Sequence, residues 1–275
     1  MTPMILLRDD DPNATTDVDR LARAYAPLLD AGLPINFSVI PEVALDTMTP
    51  DGQRERFIHD DAPRTSDLMP LTVDMPITRW LRRHPAQLGV MQHGHTHRRG
   101  SDGTEFGMIS RRAAAIKMER GGEILEQAFG CRPNGFVPPW DLLSRGTIDA
   151  AHGRFDLVSC HSVSRRRLPL SAWPAHLIER RRRSELLRVG NLWVSRHRGG
   201  QMQPDMDPAR VADMVQTLTA GASLGVIVLH HWMFWNDATP HPVIVALANA
   251  LHGRRVVTVD DAITNIIAAE LRASA

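Results

Sequence analysis

Three histidines fall within five residues in the segment MQHGHTHRRG, at His93, His95 and His97. Imidazoles alone hold a divalent ion weakly. Two imidazoles with one carboxylate and open positions form a common catalytic ligand set. If the backbone stays extended past Gln92, residues 93, 95 and 97 share a face; a tight turn at Gly94 would instead fold His93 and His97 around one ion. Carboxylates stand at Asp9-Asp10-Asp11, and a second imidazole pair, His230-His231, precedes Trp232. An aspartate beside a metal ligand could take the proton of an attacking water as general base. The bland alternatives are a solvated histidine-rich loop and an acidic turn that caps the next helix.

The elements that carry these groups decide between the readings. MILLRD (Met4 to Asp9), INFSVIP, QLGVMQH, NGFVPPW, FDLVSCH, LWVSRH and LGVIVLHH read as strands, with a short one in RVVTVD. Helical patterns run from Asp17 to Leu29, from Ser110 to about Phe129, from Arg145 to His152, from Asp207-Pro208 to about Ala220, from Pro242 to Leu251 and from Asp260 onward. Residues 46–73 are polar and proline-rich and read as a long loop. Strand and helix alternate along the whole chain, so the sheet is parallel with helical crossovers. About seven such units in 275 residues predict a single-domain α/β fold, a distorted (β/α)7–8 barrel. Residues 162–189, with SRRR and ERRRRS, read as an excursion from the barrel. In a parallel barrel every strand ends on one rim, where active sites are built. The acids, both histidine groups and Pro138-Pro139-Trp140 each follow a strand, so they should converge.

Composition narrows the function classes. The net charge of +1 provides no global field for nucleic acid or membrane. Lys117 is the only lysine, and neither a Walker sequence nor GxGxxG occurs. Cys131 and Cys160 are far apart and form no CxxC pair, against a thiolate zinc site or a disulfide framework. No apolar run approaches the ~18 residues that span a bilayer, and no signal peptide is evident, so a cytoplasmic protein is expected. GASLG (Gly221 to Gly225) matches the serine-hydrolase elbow, but a helix precedes it and a strand follows, the reverse of what that motif needs.

The ordered set RDDDP, HGHTH, FVPPW and VLHH spans residues 8–231 and resembles the NodB-homology polysaccharide deacetylases of carbohydrate esterase family 4. The arginine before the acids is more like a branch associated with bacterial surface-polysaccharide biosynthesis. The resemblance implies a NodB-like barrel and metal-dependent removal of an acetyl group, with zinc foremost and cobalt, nickel or manganese as options. The implied substrate is an N-acetylated sugar, free or nucleotide- or lipid-linked, in O-antigen-like polysaccharide synthesis. It also implies Asp11, His93 and His97 as metal ligands, Asp10 as general base, the Trp140 main-chain N–H at the oxyanion and His230 as proton donor. A shifted register would use Asp9 and Asp10 instead; the arginine alignment favours the first. Two departures stand out. The family's arginine before Pro-Pro is Val137 here, and its aspartate orienting the late histidine has only Asp156 as a weak candidate. His95 is read as a non-ligand and His231 as packed or supporting. Trp232, Phe234 and Trp235 are either core or sugar-stacking. Arg165–Arg167 and Arg180–Arg183 are either solvated surface or phosphate contacts. An amide hydrolase for a cyclic ureide and a non-catalytic carbohydrate-binding relative are the competing functions.

Overall fold

The computed structural model describes residues 3–100, 103–174, 176–177, 186–197, 199–235 and 240–274. In chain order they form β1 (Met4–Asp10), α1 (Val18–Asp30), β2 (Ile35–Val39), β3 (Glu42–Ala44), β4 (Leu68–Pro70), α2 (Pro76–Arg83), β5 (Leu88–His93), α3 (Arg111–Phe129), β6 (Gly135–Val137), α4 (Arg145–Ala151), β7 (Leu157–Cys160), β8 (Leu186–Val189), β9 (Leu192–Arg196), α5 (Val211–Thr219), β10 (Leu224–Leu229), α6 (Pro242–Leu251), β11 (Arg255–Val256) and α7 (Val259–Ser274). The main sheet runs β10-β1-β2-β5-β6-β7-β9-β8, with β11 against the start of β1. Its neighbours are parallel except β8 and β9. An isolated parallel bridge from Gln201 to Val228 draws the two ends of the sheet together, giving a nearly closed, distorted barrel.

Period-two alternation along β1 sorts the residues by face and by height. Ile5 and Leu7 pack outward with Leu21, Tyr25 and Leu28 of α1. Met4 and Leu6 face inward, in one cluster with Met91, Val137, Leu157, Val226 and Val228. The same cluster holds Val259, Ala262, Ile263 and Ile266, so α7 plugs the lower end of the barrel. Continuing the alternation upward puts Arg8 and Asp10 inward and Asp9 outward. On β10 it puts Val226 and Val228 inward below His230, and Ile227 and Leu229 outward below His231.

Local signals explain the helix starts. Asp17 accepts a hydrogen bond from the Arg20 N–H, and Ser110 one from the Ala113 N–H. Pro242 sits in the first turn of α6. The structure adds four elements to the sequence reading. The 46–73 stretch ends in β4, which pairs antiparallel with β3. Helix α2 follows it. Within the 162–189 segment, β8 forms an antiparallel pair with β9 at the sheet edge.

Candidate active site

Asp11, His93 and His97 meet at the upper rim. Each offers a ligand atom within 4.8 Å of the others, and all three are buried. The Nε2 atoms of His93 and His97 both lie 3.2 Å from Asp11 Oδ1. His93 Nδ1 stands 3.1 Å from the Val137 carbonyl oxygen and must donate to it. In the neutral ring this leaves the Nε2 lone pair facing a carboxylate oxygen, an arrangement that a cation between them would satisfy. The residues present therefore fit a divalent ion. Burial pushes the Asp11 carboxyl up, but His93 and His97, which would donate to it as imidazolium in the absence of an ion, outweigh burial and hold the group well below its ordinary value. The Trp232 indole N–H donates to the other oxygen, Oδ2, at 3.0 Å. His230 Nε2 lies 3.9 Å from that oxygen.

The HGHTH turn is what brings two histidines to one point. Gly94 has φ +57°, and a Cβ there would meet Pro139 Cγ at 2.5 Å and Glu105 Oε2 at 2.6 Å. Glu105, fully buried, braces the turn. It accepts from the N–H groups of His95, Thr96 and His97 at 3.0–3.2 Å and from Lys117 Nζ at 2.7 Å. The turn thus splits the motif: His93 and His97 face Asp11, while His95 faces away, 3.3 Å from Glu42.

Asp10 points into the barrel and is held by Arg8, whose Nη2 donates to Asp10 Oδ2 at 2.7 Å and to Asp141 Oδ1 at 2.9 Å; Nη1 donates to Ser159 at 2.8 Å. Burial opposes the Arg8 charge, and the two carboxylates more than restore it, so its pKa rises. Asp10 Oδ1 is buried without a hydrogen-bond partner. Burial likewise works against the Asp141 carboxylate, yet Arg8 and His197, 2.7 Å away through Nε2, hold its pKa down. Asp9 lies on the opposite face. It accepts from Tyr25 at 2.5 Å, from the His231 N–H at 2.7 Å and pairs with His231 Nδ1 at 3.0 Å. Asp9 and His231 are thus a buried outward pair away from Asp11's imidazoles.

Asp10, Asp11, His93, His97, Trp140 and His230 line one pocket of about 390 Å³, walled by Thr49, Pro50, Glu55 and Phe57 from the 46–73 stretch. Trp140 packs on His97 with ring centroids 4.2 Å apart. Among the described residues, the non-glycine positions with positive φ are Asp11, His97, Trp140 and Asp141, all at this pocket. Strained backbone of this kind costs on the order of 1–3 kcal/mol each and concentrates where geometry serves function.

All six residues expected at the site line this pocket. The orienting role read for Asp156 is corrected, and the readings left open are narrowed only in part. Asp156 is exposed at the start of β7, and His230 Nδ1 has no hydrogen-bond partner. Phe234 is core, whereas Trp232 lines the pocket and Trp235 packs partly buried. Arg165–Arg167 form a short 3-10 turn, and Arg180–Arg183 lie outside the described residues. Sequence reasoning missed Arg8, Asp141, His197 and Glu105 as supports. Two of them had a signal: Arg8 shares the inward alternation of Asp10, and His197 directly follows a strand.

No protein-family model matches the chain, and no curated protein matches it significantly in sequence. Solved structures do match. A protein from Mycobacterium smegmatis assigned as a polysaccharide deacetylase aligns over 98% of this chain and 91% of its own, with TM-score 0.56 and 14% identity. The Xyl-CE4 domain of a multidomain xylanase, from the hindgut metagenome of Trinervitermes trinervoides, aligns over 96% and 91% with TM-score 0.51 and 12% identity. A deacetylase solved with substrate aligns over 96% and 92% with TM-score 0.50 and 14% identity. The chain has the NodB-like fold of carbohydrate esterase family 4.

Proposed function

We propose that the protein is a metal-dependent deacetylase that removes the acetyl group from an N-acetylated sugar in polysaccharide biosynthesis. The convergence of Asp11, His93 and His97 on one point, with Asp10 and His230 in the same pocket, carries the reading. The fold shared with the deacetylase structures supports it. A divalent ion held by Asp11, His93 and His97 would supply Lewis-acid polarisation of the acetyl carbonyl and of water.

The chain's own groups supply the rest. Asp10 accepts the proton of the attacking water at Oδ1, the oxygen that no protein group occupies. Arg8 fixes Oδ2 and so turns Oδ1 toward the pocket. Arg8 thereby stands where Val137 leaves the family's arginine missing. The hydrogen bond of the turn at Pro138–Asp141 runs from the Asp141 N–H to the Pro138 carbonyl. It leaves the Trp140 N–H to receive the developing oxyanion, a donor class worth about 3–4 kcal/mol in acyl transfer. His230 donates a proton to the departing amine. Phe57 and Trp232 flank the pocket and limit water.

The test is acetate release from N-acetylated amino sugars by metal-loaded protein. Asp10→Asn is expected to abolish release while the metal content stays stoichiometric. Stoichiometric metal binding that survives replacement of both His93 and His97 by alanine would defeat the reading.

A further inference from the structure

His95 is the one histidine of HGHTH that turns from Asp11, and it lines a second cavity. This cavity, of about 420 Å³, lies between the His93–His97 turn, the segment around 104–109 and α3. Arg98, Arg99, Lys117 and Arg120 line it against one carboxylate, Glu105. Glu105 is already engaged by three main-chain N–H groups and Lys117. Arg98 reaches Asp46 at 2.8 Å and the Ser66 carbonyl at 2.7 Å, and Arg99 reaches Glu55 at 3.0 Å and the carbonyls of Met48 and Gly103 at 2.8 Å, so their charge, more than their donors, is offered to the cavity. Arg120 has no ion-pair partner among the described residues. Lys117 is a third exposed, with one of three N–H donors used on Glu105. The His95 ring is buried and its Nε2 makes no hydrogen bond, although Glu42 lies within ion-pair distance; the contact is close but misdirected, so the ring keeps an unused polar atom.

Arg99 connects this cavity to the catalytic pocket. It lines both, and its guanidinium stacks on the Trp140 ring at 4.4 Å from the centroid. A ligand in the catalytic pocket therefore has a cationic recess beside it. The cations come from two sides, the turn and the helix. This suits a tetrahedral group with several acceptor oxygens better than a planar carboxylate, with lysine as a point charge and arginine as a fork.

We propose that the second cavity binds a phosphoryl group and that the substrate is an acetylated amino sugar carrying a phosphate or diphosphate. The second half rests on the deacetylase reading; the first does not. The phosphoryl group can belong to a nucleoside diphosphate or to a prenyl diphosphate, and the experiment separates the two.

The full metal-loaded chain is titrated with inorganic pyrophosphate by calorimetry, with the histidine ring resonances followed by NMR. Saturable binding that moves the His95 signal is expected. Arg98→Gln/Arg120→Gln should weaken it by about tenfold or more, with metal content and Tm retained. Absent binding, or binding indifferent to that double variant, overturns the cavity whatever the reaction is. Acetate release is then compared for an N-acetyl amino sugar and for its nucleoside diphosphate and prenyl diphosphate conjugates. One conjugate should be preferred by about tenfold in kcat/KM, and the double variant should erase the preference. Equal rates overturn the substrate half. Pyrophosphate binding without acetate from any of the three overturns the deacetylase reading and leaves the cavity supported.

Discussion

Arg8 shows how a single residue can be noticed for one reason and matter for another. Its place before the acids helped to align RDDDP, yet its position on an inward face of a buried strand carried the structural meaning. The same alternation that makes Met4 and Leu6 core makes Arg8 a buried cation between Asp10 and Asp141. A buried charge without its partner is the costly case. Arg8→Met should therefore destabilise the protein by about 3–5 kcal/mol, read from urea unfolding, and Arg8→Lys should recover only part, because an ammonium lacks the fork that spans both carboxylates. A loss under about 1 kcal/mol would mean that the two acids find other compensation. Asp141 and His197 were harder to see, since their pairing joins positions 56 residues apart and neither sits in a motif.

At the scale of elements, strands followed by chemistry were the readable part. β6 and β10 are apolar throughout, and β1 and β5 open on apolar runs before their polar ends at the rim, as parallel strands buried on both faces require. Helix α2 escaped because only Ile77, Thr78 and Leu81 of its eight residues are buried, which gives too little period to detect. β4 escaped because its three residues are mostly exposed and its partner is distant in sequence. The turn from His93 to His97 was left open between two geometries, and what resolves it is Glu105, which carries no sequence signal. Burial should raise that carboxyl, yet Lys117 and the N–H groups of the turn lower it below its ordinary 4.5. A depressed folded value means that Glu105 contributes stability above the unfolded value and loses it as pH falls through the lower folded one. Glu105→Gln should thus cost about 1–3 kcal/mol near neutrality, and the gap between variant and parent should narrow in unfolding curves taken below about pH 4.5. A gap that stays constant with pH would show that the side chain's shape, not its charge, holds the turn.

Across the whole molecule, one alternation rule builds both ends of the barrel. Inward positions are apolar low down, where α7 closes the end, and charged or imidazole-bearing at the top, where the chain leaves the strands. Stability and function are thereby divided by height, which is why core and site could be read from one sequence without confusing them. The division also couples them through the ion. A ligand that binds only the folded state adds stability by mass action, about 2.7 kcal/mol at a hundredfold excess over Kd. For a domain of this size that is a rise in Tm of roughly 5–10 °C. Adding zinc to chelator-stripped protein should produce such a rise in calorimetry. In His93→Ala/His97→Ala the rise should vanish, because a single carboxylate at Asp11 cannot hold the ion alone. The strained φ values at Asp11 and His97 sharpen the expectation, since they pre-set two proposed ligands that belong to segments more than eighty residues apart. A zinc-induced rise that persists in the double variant would locate the ion elsewhere and separate the rim's geometry from metal chemistry.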